Sequence, residues 1–281
     1  MAFNRFVPFL SLAMNNRDHR KILVIDGHTA YNGGINLADE YINRKMRFGH
    51  WKDTGVRIHG EAVFNFSMMF LEMWNAFREP ETDFKAFDPH RWHPEPFESD
   101  GYVVPYSDTP LDFEELGENV YINILNQAKD YVYIATPYLL ISDEMKKAFT
   151  LAARRGVDVR IITPGIPDKK FVYQATRSYY NRLVKKGVRI FEYTPGFCHA
   201  KQCVSDDKAA VVGTINLDYR SLYHHFENAA AFYHKDAVAG VKADFDHIFE
   251  ECHEVTEQYR SHRSTALRIG QCILRLFAPL L

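Results

Sequence analysis

The chain has 281 residues, of which 46% are hydrophobic and 25% are charged. This composition is that of a globular protein with a sizeable core, and it excludes a disordered tail or a collagen-like fibre. With 34 Lys and Arg against 36 Asp and Glu, the formal net charge of -2 disfavours a general nucleic-acid binder, because such proteins are usually basic.

The first part of the chain predicts a short buried strand at residues 21–25, a strand at 51–59 and a helix at 61–78. Residues 79–112 are rich in Pro, Asp and Glu and contain no long periodic stretch, which predicts a linker. The chain is therefore predicted to divide into a first half at residues 1–78, the linker, and a second half at residues 113–281.

Helices and strands alternate after the linker. Helices are predicted at residues 118–130, 142–155, 170–186 and 237–260, and strands at 131–137, 157–163, 188–193 and 226–233, with a hairpin over 199–205 and 209–212. Gly156 and Gly187 end two of these helices in the manner of C-cap residues. The alternation predicts an α/β fold with a largely parallel or mixed sheet.

An internal repeat is the most informative feature of the sequence. The segments HRKILVIDGHTAYNGGINL and HAKQCVSDDKAAVVGTINL both follow the pattern H-x-K-x4-D-x6-G-x2-N, so the interval from His to Asn is the same in each. The matched pairs are His19 with His199, Lys21 with Lys201, Asp26 with Asp206, Gly33 with Gly213, and Asn36 with Asn216. A duplicated strand–turn–strand unit without chemistry is the alternative, but the repeated residues are mostly polar and titratable, which favours a site.

The repeated residue types suit the cleavage of a phosphodiester. His and Lys stand at alternate positions in each copy, so on a strand their side chains share one face. Two such faces would let Lys21 and Lys201, together with Asn36 and Asn216, stabilise the phosphate oxygens as charge develops. One histidine would attack phosphorus and the other would transfer protons. No metal ion or other cofactor is required in this interpretation, because the lysines supply positive charge.

The doubled pattern resembles the phospholipase D superfamily, and within it the bacterial cardiolipin synthases. The likeness extends to RDHRKILVIDG, GGINLADEYI and WKDTGVRIHGEAV in the first half, and to TPYLL, GVDVRIITP, GTINLDYRS, FENAAAFY and RLFAPLL in the second. It covers nearly the whole chain. The resemblance implies a phospholipase D-like fold of two repeated, mixed-sheet α/β halves, with the first half incomplete.

The resemblance also implies a reaction and roles for residues. Two phosphatidylglycerol molecules would give cardiolipin and glycerol through a covalent phosphohistidine. By analogy His19 is the nucleophile and His199 the acid and base, although the symmetric sequence leaves this choice open. Asp26 and Asp206 belong to the motif, and bracing of its backbone or of a lysine is their favoured role.

In the resembling family a carboxylate outside the motif orients each active histidine. The candidates here are Asp53, which follows the first motif, and Glu227, which follows the second at a broadly similar distance. Both lie near the start of the strand that comes after their motif.

The two motifs differ in what precedes them. Predicted helices and strands fill the chain from Asn119 to the second motif, whereas the first motif begins at His19, close to the start of the sequence. The sequence therefore predicts a first half truncated at its N-terminus, an open sheet edge beside His19, and impaired activity unless a missing N-terminal segment or a partner chain completes it. A non-catalytic fragment is one alternative, and a phosphodiesterase that hydrolyses lipid or nucleic acid is another.

The expected partners are phosphatidylglycerol and a membrane surface, not nucleic acid. No stretch reaches the ~18 apolar residues of a spanning helix, so the resemblance implies a peripheral location at the bacterial cell membrane, with residues 267–281 as an interfacial anchor. Tyr138, Tyr219 and Arg220 are candidates for headgroup contact. His90 and His93 have the spacing of a metal site, but they lie in a Pro-rich loop without an evident third ligand, which favours a surface loop.

Overall fold

The computed structural model describes residues 16–99, 101–112, 114–261 and 274. Its strands are β1 (Ile22–Ile25), β2 (Thr29–Gly33), β3 (His50–Lys52), β4 (Gly55–His59), β5 (Val103–Asp108), β6 (Tyr131–Ala135), β7 (Asp158–Pro164), β8 (Arg189–Tyr193), β9 (Gly196–Cys198), β10 (Gln202–Ser205), β11 (Ala209–Gly213), β12 (Glu227–Phe232) and β13 (Cys252–Glu254). Its helices are α1 (Val63–Asn75), α2 (Leu116–Gln127), α3 (Asp143–Arg154), α4 (Lys170–Val184), α5 (Tyr219–Tyr223), α6 (Lys235–Glu250) and α7 (Thr256–Arg260).

The second half is built on a mixed sheet of eight strands in the order β13-β8-β7-β6-β10-β11-β12-β5. The neighbours β6, β7 and β8 are parallel, and the other neighbours are antiparallel. Parallel neighbours need a crossover connection, which α3 and α4 supply. The prediction of an α/β fold with a mixed sheet is confirmed.

Apolar side chains fill both faces of this sheet. On one face Leu125, Phe149 and Leu183, from α2, α3 and α4, belong to one buried cluster. On the other face Phe245 of α6 shares a second cluster with Phe66 of α1. Because α1 belongs to the first half, this second cluster holds the two halves together by apolar burial.

The first half contributes a sheet of three antiparallel strands in the order β1-β2-β4. Here β1 is an edge strand, and its Leu23 and Ile25 side chains are 55% and 43% exposed. The corresponding strand of the second half, β10, lies between β6 and β11. The strand that follows His19 therefore has one partner strand among the described residues, where its counterpart has two.

Two short backbone contacts join the halves directly. Strand β3 pairs in parallel with β9, with Lys52 opposite Cys198, and Asp18 forms an isolated parallel bridge with Phe226. Gly196 is required in the first contact, because a Cβ atom there would lie 2.2 Å from the carbonyl oxygen of His50.

Three predicted elements differ from the structure. The single strand predicted at 51–59 is divided into β3 and β4, because Asp53 turns its side chain back to accept the amide of Thr54 at 2.9 Å. The helix predicted at 237–260 ends at Glu250, where residues 252–254 pair instead with the edge of β8. The predicted linker contains β5, which forms the edge of the large sheet beside β12.

The predicted interfacial anchor at residues 267–281 lies outside the described residues, apart from residue 274. Across the part of the chain that the structure describes, no helix has the length and apolar character needed to cross a membrane.

Candidate active site

Both repeat histidines line one cleft of about 260 Å³ between the halves. Two further repeat residues, Asn36 and Asn216, line the same cleft. The other lining side chains are those of Tyr41, Trp51, Tyr138, Leu140, Asp168, Lys169, Val172, Phe197, Asp218, Arg220, Ser221 and His225. Of the predicted headgroup contacts, Tyr138 and Arg220 therefore line the cleft, whereas Tyr219 packs against Tyr223.

Each histidine is held by a carboxylate from the other half. Nδ1 of His199 lies 2.7 Å from Oδ2 of Asp53, and Nδ1 of His19 lies 2.9 Å from both carboxylate oxygens of Glu227. The histidine-orienting candidates thus meet the repeat histidines, but the pairs cross between the repeat copies.

The contacts between the halves produce this crossing. The amide of His199 donates to the carbonyl of Lys52 at 2.7 Å, which places it beside the next residue, Asp53. The amide of His19 donates in the same way to the carbonyl of Phe226 at 2.9 Å, beside Glu227. The backbone therefore sets both pairs before any side chain is considered.

Both carboxylates favour the ionised state. Burial alone would raise the pKa of Glu227, but His19, and next to it His225, lower it to about 2. Burial also opposes ionisation of Asp53, but Lys201 and His199 hold its pKa below the usual range. An ionised carboxylate can only accept hydrogen bonds, so Nδ1 of each histidine carries a proton. In its neutral form, a ring with this tautomer presents the lone pair of Nε2.

The two repeat lysines lie close to both carboxylates but are not among the residues that line the cleft. Burial lowers the pKa of Lys21 and of Lys201 to about 8 each, against the opposing attraction of Asp53 and Glu227. The Nζ of each lysine donates to the carbonyl oxygen of the histidine in its own motif. At neutral pH both lysines therefore carry a positive charge, which lies close to the two ionised carboxylates.

The histidines differ in their surroundings. The side chain of His199 is 9% exposed and that of His19 is 24% exposed. Burial, followed by the nearby Lys201 charge, lowers the pKa of His199 to about 4, against the effect of Asp53. His19 is the more accessible ring, and His199 is neutral at pH 7 before substrate binds.

The repeat asparagines also differ. Nδ2 of Asn36 donates to the hydroxyl of Tyr41 at 2.5 Å. Oδ1 of Asn216 is buried and has no hydrogen-bond partner among the described residues. An unpaired buried acceptor is costly to a fold, and here it is available to the hydroxyl of a bound ligand.

The repeat aspartates lie apart from the cleft. Asp206 adopts a left-handed conformation with φ of 54°, and its carboxylate accepts the backbone amides of Lys129, Asp130 and Tyr131 at 2.8, 3.0 and 2.8 Å. Asp26 has nearly the same backbone conformation, with φ of 51°, but its side chain is exposed. Both stand at turns, and Asp206 braces the backbone at the start of β6.

Sequence comparison of the two copies missed Thr214. Its hydroxyl donates to Oε2 of Glu227, but the first copy has Gly34 at the matching position. The ring of Trp51 was missed as well, and its centroid lies 5.1 Å from that of His199. The sequence does place a hydroxyl side chain, Thr214, inside the second motif. This could have indicated a hydrogen-bond donor to a nearby carboxylate, because buried carboxylates need donors.

His19, His225 and Glu227 also have the geometry of a possible metal site, with ligand atoms within 4.8 Å of one another. The positive charge of Lys21 already acts on Glu227. A divalent cation would meet that charge at short range, which disfavours this use of the three residues.

Comparisons with known proteins agree with this geometry. A model of the phospholipase D-like domain of cardiolipin synthase matches residues 121–249. The chain is 36% identical over 277 residues to a cardiolipin synthase of Geobacillus sp. (strain WCH70), with 98% of this chain and 54% of that protein covered. It is 52% identical over 279 residues to an uncharacterized protein of Streptococcus mutans, with 99% of this chain and 60% of that protein covered.

A phosphatidylserine synthase of Haemophilus influenzae has the same fold. The TM-score is 0.71 at 15% identity, with 94% of this chain and 70% of that chain covered. The chain spans 54% to 60% of the length of the two sequence relatives described above. Over nearly its whole length, then, the chain is similar to cardiolipin synthases, and residues 121–249 match the phospholipase D-like domain of that family.

Proposed function

We propose that this chain transfers a phosphatidyl group between two phosphatidylglycerol molecules and releases cardiolipin and glycerol. One observation carries the proposal: two imidazoles, each with Nδ1 on a carboxylate, line one cleft, and the two repeat lysines lie close enough to both carboxylates to interact with them electrostatically. A reaction in two displacements at phosphorus needs one nucleophile and one proton carrier on either side of the phosphate.

In the first step Nε2 of His19 attacks the phosphorus of a bound phosphatidylglycerol. The new P–N bond forms as the P–O bond to the headgroup glycerol breaks, and His199 gives a proton to the departing oxygen. His199 is neutral in the free protein, so it must gain that proton when substrate binds. The phosphodiester anion promotes this, since a nearby opposite charge raises the pKa of an imidazole.

In the second step a hydroxyl of another phosphatidylglycerol replaces the released glycerol. Its proton passes to His199, its oxygen bonds to phosphorus, and the P–N bond to His19 breaks with the electron pair returning to Nε2. Glycerol and cardiolipin are the products, and the protein returns to its starting state. Lys21 and Lys201 stabilise the negative charge that develops on the phosphate oxygens in both steps.

The test is an assay on phosphatidylglycerol vesicles with lipid products measured by mass spectrometry. Cardiolipin and glycerol in equal amounts are expected, and His19→Gln or His199→Gln should abolish both. His247→Gln is the matched control, because His247 is 71% exposed on α6. Phosphatidic acid in place of cardiolipin would contradict transfer and establish hydrolysis. Peptide mapping of quenched protein should locate the phosphoryl adduct on His19, and an adduct on His199 would reverse the assigned roles.

A membrane surface is the proposed environment, and the rim of the cleft supports it. We define the rim as six exposed apolar side chains in two segments, residues 35–46 and 166–171, that also contribute residues to the cleft. Its members are Ile35, Leu37, Ile42 and Met46 beside Asn36 and Tyr41, and Ile166 and Phe171 near Lys169. Leu37 is fully exposed. Exposed cations lie among them at Arg44, Lys45, Arg47 and Lys170, a combination that suits an anionic bilayer.

Vesicle sedimentation tests the rim. Leu37→Glu should reduce binding to phosphatidylglycerol vesicles several-fold, because a carboxylate would have to enter the apolar boundary of the bilayer. Leu151→Glu is the matched control, since Leu151 is 52% exposed on α3. Equal binding by both variants would contradict docking through the rim.

The open edge of β1 is proposed to receive a further strand. In the second half, Asp206 binds three consecutive amides at the start of β6, the strand beside β10. Asp26 has the same conformation at the end of β1 and no hydrogen-bond partner among the described residues. An added strand whose first amides reach Asp26 would repeat the arrangement and cover Leu23 and Ile25.

Co-expression with the part of the Streptococcus mutans relative that this chain does not cover tests this proposal. A complex with higher specific activity and higher Tm is expected, and Asp26→Asn should weaken the complex more than Asp39→Asn, a change in an exposed aspartate elsewhere in the first half. Activity equal to that of the complex from the chain alone would contradict it.

A further inference from the structure

Four histidines gather at the end of the first half that carries the β1–β2 turn. His28 is the last residue of that turn, His59 ends β4, and His90 and His93 come from the linker segment. The ring centroids of His28, His59 and His93 form a triangle with sides of 5.1, 5.5 and 5.3 Å. None of these residues lines the cleft described above.

The spacing matches that of a three-histidine metal site. Imidazoles bound to a tetrahedral Zn²⁺ through nitrogens about 2.1 Å from the metal have ring centres about 5 Å apart. In the sequence, the Pro-rich context of His90 and His93 favours a surface loop, whereas the fold brings two further imidazoles to them from the first-half sheet. The ligand nitrogens of the three rings do not all lie within 4.8 Å of one another, so they must move closer together when an ion binds.

Hydrogen bonds already orient the Nδ1 atoms. Nδ1 of His93 lies 3.0 Å from the carbonyl oxygen of Glu95, an acceptor that requires the proton on Nδ1 and leaves Nε2 unprotonated. The hydroxyl of Thr29 lies 3.2 Å from Nδ1 of His28 and 3.0 Å from Nδ1 of His59. Its oxygen can accept from both rings, which would leave both Nε2 atoms for a metal. Contacts of this kind fix the tautomer of metal-binding histidines.

Charged and aromatic side chains next to the histidine cluster affect whether it can bind a divalent cation. The carboxylate of Glu61 lies 3.2 Å from Nε2 of His90 and supplies negative charge at the edge of the cluster. Arg57 is the nearby charge that opposes a cation. Phe97 stacks on His93 at 4.4 Å and shields one side.

We propose that His28, His59 and His93 bind one divalent transition-metal ion of the Zn²⁺ and Co²⁺ class. The bound ion would tie the linker segment to β2 and β4, because His93 belongs to the linker and the other two ligands border the sheet. The role is structural, and it is independent of phosphatidyl transfer.

The test uses the full chain without an affinity tag, stripped with a chelator and titrated with Co²⁺ at pH 7.5. We expect visible d–d absorption that saturates at one ion per chain, displacement of Co²⁺ by Zn²⁺, and a Zn²⁺-dependent rise in Tm. His59→Asn and His93→Asn should each weaken binding at least about 10-fold and leave lipid transfer unchanged.

A matched variant excludes the cleft as the binding site. His19→Asn removes a ligand from the triad of His19, His225 and Glu227, and it should leave the cobalt spectrum intact. Loss of the spectrum in His19→Asn with retention in His59→Asn would overturn the proposal. Absence of saturable cobalt absorption in the folded wild-type chain would overturn it as well.

Discussion

The carboxylate of Asp53 lies 2.7 Å from Nδ1 of His199, although 146 residues separate the two along the chain. Glu227 makes the reciprocal contact with His19 across 208 residues. Each half of the protein therefore holds the histidine of the other half. A histidine without its carboxylate loses both its orientation and the charge that stabilises its protonated form, so docking of the halves and assembly of the site are the same event.

Asp53→Asn should lower kcat by about 10²–10⁴-fold with little change in KM. The amide keeps the shape of the side chain but can donate to Nδ1, which favours the wrong tautomer, and it cannot stabilise the imidazolium. Steady-state kinetics on phosphatidylglycerol vesicles would measure the change.

The crossing itself can be checked by a double-mutant cycle on urea unfolding. Asp53→Asn and His199→Gln should couple by about 1 kcal/mol or more, and Asp53→Asn and His19→Gln by less than about 0.5 kcal/mol. The opposite order would mean that each carboxylate serves the histidine of its own half.

Raising the pH above about 8 should reduce activity while the protein stays folded. The pKa of Lys21 and of Lys201 is about 8, so both lysines lose their charge in this range. A lysine whose folded pKa lies below its unfolded value destabilises the fold at neutral pH, and this penalty disappears between about pH 8 and pH 10.5. The contribution of the two lysines to the free energy of unfolding therefore becomes more favourable to the folded state in the same pH range in which kcat/KM falls. Parallel circular dichroism at each pH separates the effects, and unfolding that coincided with the loss of activity would contradict the explanation.

Thr214→Val should cost about 1–3 kcal/mol of unfolding free energy, because a buried carboxylate loses a hydroxyl donor. A roughly 10-fold lower kcat is expected from the less rigid Glu227. Thr54→Val is the matched control. The hydroxyl of Thr54 is buried beside Asp53 and has no partner among the described residues, so its removal should leave stability equal or higher. A larger loss in Thr54→Val than in Thr214→Val would refute the role given to Thr214.

Alignment of the two repeat copies identified four cleft residues from the sequence, because residues at the same place in each copy occupy matching positions in the two halves. His19, His199, Asn36 and Asn216 all line one cavity. The constant offset does not predict contacts between the two copies. Such contacts depend on how the halves pack, as in the pairing of Lys52 with Cys198 between β3 and β9. For that reason the sequence yields Asp53 and Glu227 as candidates but does not say which histidine each one holds.

Local composition explains the elements that were missed. The strand β5 is six residues long and contains Pro105, which is tolerated because β5 lies at the edge of its sheet. Residues 252–254 continue a helical pattern in sequence, but the edge of β8 offers backbone partners that the pattern does not record. The histidine cluster was hidden for a similar reason, because His28 and His59 join His93 only when β2 and β4 pair.

Acid should destabilise the protein through Glu227, and Glu227→Gln should remove this part of the pH dependence. The pKa of Glu227 is about 2 in the folded state, below its ordinary value of 4.5. A carboxylate of this kind contributes stability above pH 4.5 that is lost as the pH falls towards 2. The difference corresponds to about 3 kcal/mol, so urea unfolding of Glu227→Gln should change less between pH 7 and pH 3 than that of wild type. Glu79→Gln, at an exposed position, is the control and should follow wild type. Parallel curves for wild type and Glu227→Gln would show that the ionised carboxylate does not hold the two halves together.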